Sequence, residues 1–217
     1  MVNRLNNLEI GIDSSLSYCS ITLFKKKKII WDKFQKCDYG HEKVLSFLLK
    51  KLVKETKLKP ENITYLHINK GPARFTAIRN CHALAKGYFF SQNIKIFSYS
   101  IFEHYYLGIS DKIEKNILCI LDTNRRDLAV QKINTKGKLI GKTLTLPIDD
   151  KLVNLLKKDF TLIGNGLEKL NKISEFKFIK TKTLGPTKLY SNYFVKRIYN
   201  KKYSMKFPKI IYPYSPI

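Results

Sequence analysis

The stretch from Asn69 to Phe90 constrains the fold more than any other part of this 217-residue sequence. It follows a short apolar run, Ile63–Ile68, and opens near Gly71-Pro72. This pair breaks a strand, because proline fixes φ and lacks a donor while glycine permits a tight turn. From about Thr76 onward, apolar residues recur every three or four positions, which predicts a helix. A strand, a turn and a long apolar helix in this order indicate an α/β fold.

Two apolar stripes run along this predicted helix. We expect the first stripe to face the core, and it consists of Phe75, Ile78, Ala85 and Phe89. We expect the second stripe to meet a partner helix, and it consists of Ala77, Cys81, Leu84 and Tyr88. A helix that is apolar almost all round is either buried or carries an interface. An ordinary core helix after a strand and a turn therefore remains the simpler alternative.

The composition indicates a folded protein with a large excess of positive charge. Hydrophobic residues make up 44% and aromatic residues 12% of the sequence, which argues for a packed core rather than disorder. A chain of 217 residues forms one large domain or two small lobes. The net charge of +24 attracts nucleic acid or another anionic surface without a specific site. A genome-wide bias toward lysine produces the same excess, and both interpretations stay open.

Neither a membrane span nor a signal peptide is predicted, because no apolar segment has the required length and position. The four cysteines, Cys19, Cys37, Cys81 and Cys119, are far apart and form no CxxC pair. Their spacing favours reduced structural thiols, and we expect a cytoplasmic protein. The four histidines show neither HxxxH nor HExxH spacing, so no metal site is predicted.

The predicted elements follow a similar order twice. The first round has strands at Leu8–Ser14, Tyr18–Phe24 and Lys28–Phe34, a helix at His41–Thr56, a strand at Ile63–Ile68, the apolar helix and a strand near Ile94–Ser98. The second round has strands at Asn116–Asp122, Asp127–Asn134 and Leu139–Leu146, a helix at Asp149–Lys158, a strand at Phe160–Gly164 and a terminal helix near Thr187–Tyr199. This repetition predicts an α/β fold of two ribonuclease-H-like lobes, at residues 1–104 and 105–217, each a mixed sheet with helices. We expect Phe207–Ile217 to be an extended tail, because it contains three prolines.

Several short motifs resemble one protein family. The pattern GP-x-x-FT-x-x-R followed by AKG resembles the central motif of the TsaB family of tRNA threonylcarbamoyladenosine biosynthesis proteins. The matching positions are Gly71, Pro72, Phe75, Thr76, Arg79, Ala85, Lys86 and Gly87. Weaker matches are Ile12-Asp13-Ser14-Ser15, His41-Glu42, Leu121-Asp122 with Arg125, and Gly164-Asn165-Gly166. The family usually has glycine at the positions of Ala73, Ala77 and Cys81, and serine at the position of Arg74.

The resemblance implies an actin-like ATPase fold and a non-catalytic role. The TsaB family is the non-catalytic relative of the TsaD transferase. It supports N6-threonylcarbamoylation of adenosine 37 in tRNAs that read codons beginning with A. On this resemblance we expect a TsaD-like transferase as partner, with a homodimer as the alternative assembly. We expect no firmly bound cofactor, and the subunit interface is the candidate place for a nucleotide.

Two strand-end aspartates are the candidate cleft residues, together with Arg125. Asp13 and Asp122 end the first strands of the two predicted lobes, where ATP-using relatives hold Mg²⁺ with carboxylate oxygens. Either residue is equally interpreted as a turn or cap aspartate. No glycine-rich phosphate loop follows Asp13, so no catalytic residue is predicted. An active small-molecule kinase or acyl-transfer enzyme of the same fold is the alternative, and a basic RNA-binding module is a third.

Overall fold

The computed structural model describes residues 8–26, 28–90, 92–109, 113–171 and 203–212. The chain divides into two compact units, the first formed by Met1–Ser100 with Gly185–Ile211 and the second by Ile101–Leu184 with Tyr212–Ile217. The first predicted lobe ended at residue 104, whereas the first unit ends its main segment at Ser100. The tail residues 203–211 were assigned to the second lobe, but they belong to the first unit. The predicted helix at Thr187–Tyr199 lies outside the described residues.

In the described residues, the first unit contains a five-stranded mixed sheet and two long helices. Its elements are β1 (Leu8–Asp13), β2 (Tyr18–Lys25), β3 (Lys28–Lys36), α1 (His41–Thr56), a 3₁₀ turn (Pro60–Asn62), β4 (Ile63–Asn69), α2 (Phe75–Tyr88) and β5 (Lys95–Tyr99). The strand order is β3-β2-β1-β4-β5. The first three strands are antiparallel, and β1, β4 and β5 are parallel. The parallel strands therefore present their carboxyl ends at one edge of the sheet.

The second unit repeats this scheme with fewer strands. Its elements are α3 (Ile101–Ile109), β6 (Ile117–Asp122), β7 (Leu128–Ile133), β8 (Leu139–Leu146), α4 (Asp150–Leu156), β9 (Thr161–Ile163) and α5 (Gly166–Asn171). The strand order is β8-β7-β6-β9, with β6 and β9 parallel and the other pairs antiparallel. In each unit the first strand has an antiparallel neighbour on one side and a parallel neighbour on the other. The predicted α/β fold with a mixed sheet in each lobe is confirmed. No helix in the described part of the chain is long and apolar enough to cross a membrane.

The helix α2 buries one face against the sheet, but this face differs from the predicted core stripe. Ile78, Ala85 and Phe89 are buried as predicted. Two residues of the predicted partner stripe, Ala77 and Cys81, are also buried, with 2% and 1% exposure. The Sγ atom of Cys81 lies 3.6 Å from a carbonyl oxygen of β1. Their small side chains therefore bring α2 close to its own sheet, and their assignment to a partner surface is wrong.

For Phe75 the prediction was wrong in the opposite direction. It was predicted to face the core, yet it is 39% exposed at the first position of α2. Leu84 and Tyr88, the other members of the predicted partner stripe, are half-buried and pack against the core. The two stripes of α2 thus merge into one buried face. This happens because positions three, four and seven residues apart all lie within one broad apolar sector of a helix.

A segment near the C-terminus, residues 203–211, completes the first unit, and we call it the C-terminal strap. Ser204 and Ile96 exchange two backbone hydrogen bonds, of 2.7 and 2.9 Å, so the strap pairs with the edge strand β5. The amide of Ile211 then donates to the carbonyl oxygen of Lys70 at 2.7 Å. The strap therefore spans from the free edge of the sheet to the turn that follows β4.

Candidate functional site

Asp13 ends β1 and lies at the centre of a buried polar network. Its side chain has no solvent exposure. The backbone amide of Ser15 donates to Oδ1 at 2.8 Å, and the Tyr99 hydroxyl donates to Oδ2 at 3.2 Å. The Nδ2 atom of Asn69 lies 3.4 Å from the same Oδ2 atom. Both carboxylate oxygens therefore accept hydrogen bonds from neutral donors of the first unit.

Asn69 connects this network to the turn that follows β4. Its Nδ2 atom donates to the Ser15 hydroxyl at 3.1 Å, and its Oδ1 atom accepts from the Gly71 amide at 2.8 Å. Gly71 has a φ of 97°, which glycine adopts readily. A Cβ atom there would lie 2.5 Å from the carbonyl oxygen of Ile211 in the C-terminal strap. The Asn69 side chain thus holds the turn by a hydrogen bond, and the C-terminal strap covers it.

His82 supports the same turn from α2. Its Nε2 atom donates to the carbonyl oxygen of Asn69 at 2.8 Å, and the side chain is 3% exposed. Burial lowers the pKa of His82 below its ordinary value, and the nearby Lys86 ammonium acts in the same direction. The imidazole is therefore neutral at physiological pH. His82 is thus a core histidine whose ring N–H has an acceptor.

Asp122 occupies the corresponding strand end in the second unit, but its partners differ. Its Oδ1 atom accepts from the Asn124 amide at 2.8 Å and lies 3.5 Å from Nζ of Lys169 on α5. Its backbone amide and carbonyl both bond the side chain of Asn165, at 3.1 and 2.9 Å. Lys169 also donates to the carbonyl oxygen of the exposed Arg125 at 2.6 Å. Asp122 thus joins the β6 turn to α5, as expected of a structural turn aspartate.

The segment Gly164-Asn165-Gly166 is also used for packing. A Cβ atom on Gly164 would lie 2.0 Å from the carbonyl oxygen of Ile120, and one on Gly166 would lie 2.8 Å from the Ile120 side chain. Gly164 has a φ of 110° as well. Both glycines therefore let the start of α5 approach the backbone of β6. The segment is a strand-to-helix turn between β9 and α5.

The exposed side of α1 and α2 carries large side chains that sequence reasoning missed, and we call it the α1–α2 face. It consists of Phe47 on α1 with Phe75, Arg79 and Ala83 on α2. Phe47 is 57% exposed, and the Arg79 guanidinium carbon lies 4.9 Å from the centre of the Phe75 ring. The Asn80 amide donates to a Glu42 carboxylate oxygen at 3.2 Å and joins the two helices.

The only sequence signal for the α1–α2 face is weak. Phe75, Arg79 and Ala83 follow one another at intervals of four, which places them on one side of a helix. The same interval relates Ala77, Cys81 and Ala85, which are buried. Apolarity alone ranks the second set at least as high as the first, so the exposed set was not recognised.

The sequence comparisons identify the family of this chain. No family model matches the sequence. A protein of Buchnera aphidicola subsp. Acyrthosiphon pisum, named tRNA threonylcarbamoyladenosine biosynthesis protein TsaB, is 30% identical over 171 residues. The match covers 76% of this chain and 77% of that protein. The chain belongs to the TsaB family.

A second TsaB protein, from Buchnera aphidicola subsp. Schizaphis graminum, agrees with this assignment. It is 27% identical over 190 residues, which cover 84% of this chain and 90% of that protein. Both TsaB relatives thus match this chain over most of their length. The resemblance inferred from the central motif is confirmed.

Solved structures support the fold. YeaZ from Pseudomonas aeruginosa has a TM-score of 0.66 at 14% identity, covering 85% of this chain and 88% of that chain. A second Pseudomonas aeruginosa structure, described as an uncharacterized protein with similarity to the peptidase YeaZ, has a TM-score of 0.64 at 14% identity and covers 84% of this chain and 88% of that one. At this identity the likeness concerns the fold alone. The predicted architecture of two lobes, each a mixed sheet with helices, is confirmed.

This TsaB-family chain lacks the usual glycines of the family at three positions and the usual serine at a fourth. The side chains at these four positions make contacts within the chain itself. Ala73, Ala77 and Cys81 are all buried. Arg74 donates to the carbonyl oxygen of Asp38 at 2.8 Å and to the Ser17 hydroxyl at 2.9 Å. In this chain the start of α2 is therefore held to the loops after β1 and β3 by an arginine side chain.

Proposed function

We propose that this chain is a non-catalytic subunit required for N6-threonylcarbamoylation of adenosine 37 in tRNAs that read codons beginning with A, and that it acts by binding a TsaD-like transferase. Membership of the TsaB family supports the pathway. The observation that carries the non-catalytic role is the state of Asp13, which is fully buried with both oxygens hydrogen-bonded inside the first unit.

Phosphoryl and acyl-adenylate chemistry need carboxylate oxygens that a hard cation can reach. A Mg²⁺ ion at Asp13 would have to compete with the Ser15 amide and the Tyr99 hydroxyl for carboxylate oxygens that have no solvent exposure. Asp122 is likewise engaged, by the Asn124 amide and the Lys169 ammonium. These aspartates serve the stability of their units, and the transferase supplies the chemistry.

The α1–α2 face is the surface that we assign to the partner. Aromatic and arginine side chains dominate the energetics of protein interfaces. This face presents Phe75 and Arg79 in contact on α2, and Phe47 is exposed on α1. Ala83 lies beside them with a small side chain, which allows a partner helix to approach closely. Leu84 and Tyr88 remain predicted contributors at the margin of the face, because their half-buried side chains still reach the surface. The same face serves a homodimer, which then competes with the transferase.

The experiment combines the purified chain with a TsaD-like transferase and the threonylcarbamoyl adenylate. The chain should co-elute with the transferase in size-exclusion chromatography and should increase modified adenosine in tRNA, measured by mass spectrometry. Alone, it should hydrolyse ATP no faster than buffer. Steady ATP turnover by the chain alone that disappears in a folded Asp13→Ala variant would contradict the proposal and support the kinase alternative.

A further inference from the structure

Three metal-ligating side chains meet in the first unit, away from the Asp13 network and the α1–α2 face. Cys19 lies on β2, Cys37 directly follows β3, and His41 is the first residue of α1. Their two sulfur atoms and one ring nitrogen all lie within 4.8 Å of one another. All three residues are buried, with exposures of 0%, 5% and 6%. We call them the Cys₂His cluster.

The sheet and the following turn hold the two cysteines in place. Tyr18 pairs with Lys36 in the antiparallel register of β2 and β3, and the Cys37 amide donates to the Ser17 carbonyl oxygen at 2.8 Å. Cys19 and Cys37 are therefore diagonal neighbours on the same face of the hairpin. Both cysteines are free thiols. The pair is thus positioned by backbone hydrogen bonds rather than by a covalent link.

The ring of His41 is oriented by a hydrogen bond to the backbone. Its Nε2 atom lies 3.0 Å from the Leu16 carbonyl oxygen. Because a carbonyl oxygen only accepts, Nε2 donates a proton to it, which leaves Nδ1 as the ring atom able to bind a metal ion. Metal-bound histidines in proteins generally donate their other ring N–H to a carbonyl or carboxylate in this way.

We propose that the Cys₂His cluster binds a thiophilic divalent cation of the Zn²⁺ type. Zinc bonds of about 2.3 Å to sulfur and about 2.0 Å to nitrogen place tetrahedral ligand atoms roughly 3.5–3.8 Å apart. The three ligand atoms, now within 4.8 Å of one another, therefore approach each other by at most about 1.3 Å to bind the ion. A water molecule completes the tetrahedron.

The charges balance in the occupied cluster. Each thiol releases one proton, and the two thiolates neutralise the dication, so the buried site has no net charge. The spacing of these residues along the sequence does not indicate a metal site. Cys19 lies on β2, Cys37 follows β3, and His41 begins α1. The occupied site joins β2 to the start of α1. It therefore stabilises the first unit independently of any transferase.

The test uses the full chain, reduced and freed of metal, and titrated with ZnCl₂ against a chromophoric chelator. We expect one Zn²⁺ per chain, release of two protons, and a higher melting temperature. Cys37→Ser and His41→Gln should each weaken Zn²⁺ binding at least tenfold. Cys119→Ser removes a buried cysteine of the second unit and should bind Zn²⁺ as the unchanged chain does.

Circular dichroism checks that each variant folds, and Co²⁺ provides a measurement that needs no variant. The unchanged chain with one equivalent of Co²⁺ should show thiolate-to-cobalt charge transfer and the visible bands of a tetrahedral ion. Absence of these bands, or of Zn²⁺ uptake, would overturn the proposal. Equal uptake by folded Cys37→Ser would also overturn it. So would purification of the chain, without reductant, with a Cys19–Cys37 disulfide and no metal.

Discussion

The hydroxyl of Tyr99 lies 3.2 Å from Oδ2 of Asp13, so the last residue of β5 holds the carboxylate at the end of β1. The strand between them, β4, ends in Asn69, which contacts the same carboxylate. One polar network therefore closes the carboxyl ends of three parallel strands. In open α/β sheets this end is where ligands usually bind. Here the side chains bind one another.

Because of this network, we expect Asp13 to stabilise the folded state. Asp13→Ala removes the carboxylate that accepts from the Ser15 amide and the Tyr99 hydroxyl, and each buried donor left unsatisfied costs about 1–3 kcal/mol. We expect a loss of about 3 kcal/mol in the free energy of unfolding, measured by urea denaturation. Glu114→Ala, at an exposed position, should change it by less than about 0.5 kcal/mol. Equal denaturation midpoints for the two variants would contradict this account.

The α1–α2 face should tolerate a charge in the isolated chain but not in the complex. Ala83→Arg places an ion on the exposed side of α2. The variant should fold normally and bind a TsaD-like transferase at least tenfold more weakly, because the buried charge has no partner. Isothermal titration calorimetry measures the affinity.

Two matched variants locate this effect. Asn154→Arg adds the same charge to an exposed position of α4 and should leave the affinity unchanged. Cys81→Arg places the charge in the core and should abolish the native circular dichroism spectrum. Normal assembly by Ala83→Arg would remove this part of α2 from the interface.

Two glycines should respond in opposite directions to alanine. Gly164→Ala brings a Cβ atom within 2.0 Å of a backbone oxygen at a φ of 110°. It should destabilise the second unit by about 2 kcal/mol or more, since backbone cannot move aside cheaply. Gly87→Ala, in α2, meets nothing within 4 Å, and it should stabilise the first unit by up to about 1 kcal/mol. Thermal denaturation of both variants tests the pair, and similar melting temperatures would refute the packing argument.

His82 should make stability depend on pH. Its folded-state pKa is lowered from 6.5, so below that pH the unfolded chain binds the proton more readily. The contribution of His82 is therefore present above about pH 6.5 and is lost as the pH falls below that value. His82→Gln keeps a donor for Asn69 but removes the titration. Its unfolding free energy should fall less than that of the unchanged chain between pH 7.5 and 5. Parallel plots of unfolding free energy against pH for the two proteins would mean that His82 does not contribute to the pH dependence of stability.

Binding to tRNA should depend steeply on salt. If the net charge of +24 contributes contacts, each neutralised phosphate releases counterions, and the logarithm of the affinity falls linearly with the logarithm of salt concentration. Filter binding at salt concentrations between 50 and 200 mM measures the slope. We expect the affinity for tRNA to fall about tenfold or more over this range. An affinity that does not change with salt would mean that the lysines follow the composition of the genome.

The sequence predicted the fold well because its strongest patterns are local. Alternating and continuous apolar runs located the strands from β1 to β9, and the break at Gly71-Pro72 located the start of α2. The resemblance to the TsaB family depended on the same short motif. These features are determined by residues close together in the chain, where propensity and periodicity apply directly.

The α1–α2 face and the Cys₂His cluster could not be predicted from the sequence, for a different reason. The exposure of Phe75 and the burial of Cys81 depend on how closely α2 approaches β1, and that distance is set by side chains from both elements. Cys19 and Cys37 become neighbours only when β2 and β3 pair in one register. Pairings between distant segments decide these features, and a single sequence does not display them.

The C-terminal strap has a consequence for synthesis of the protein on the ribosome. Ser204 of the strap pairs with Ile96 of β5, which ends at Tyr99, so most of the second unit, Ile101–Leu184, lies between them in the chain. At roughly 5–20 residues per second, the edge of β5 waits on the order of ten seconds for its cover. During that interval an unpaired strand edge is open to other nascent chains. We therefore expect chaperone demand to be highest for chains that have been translated past β5 but not yet to the strap.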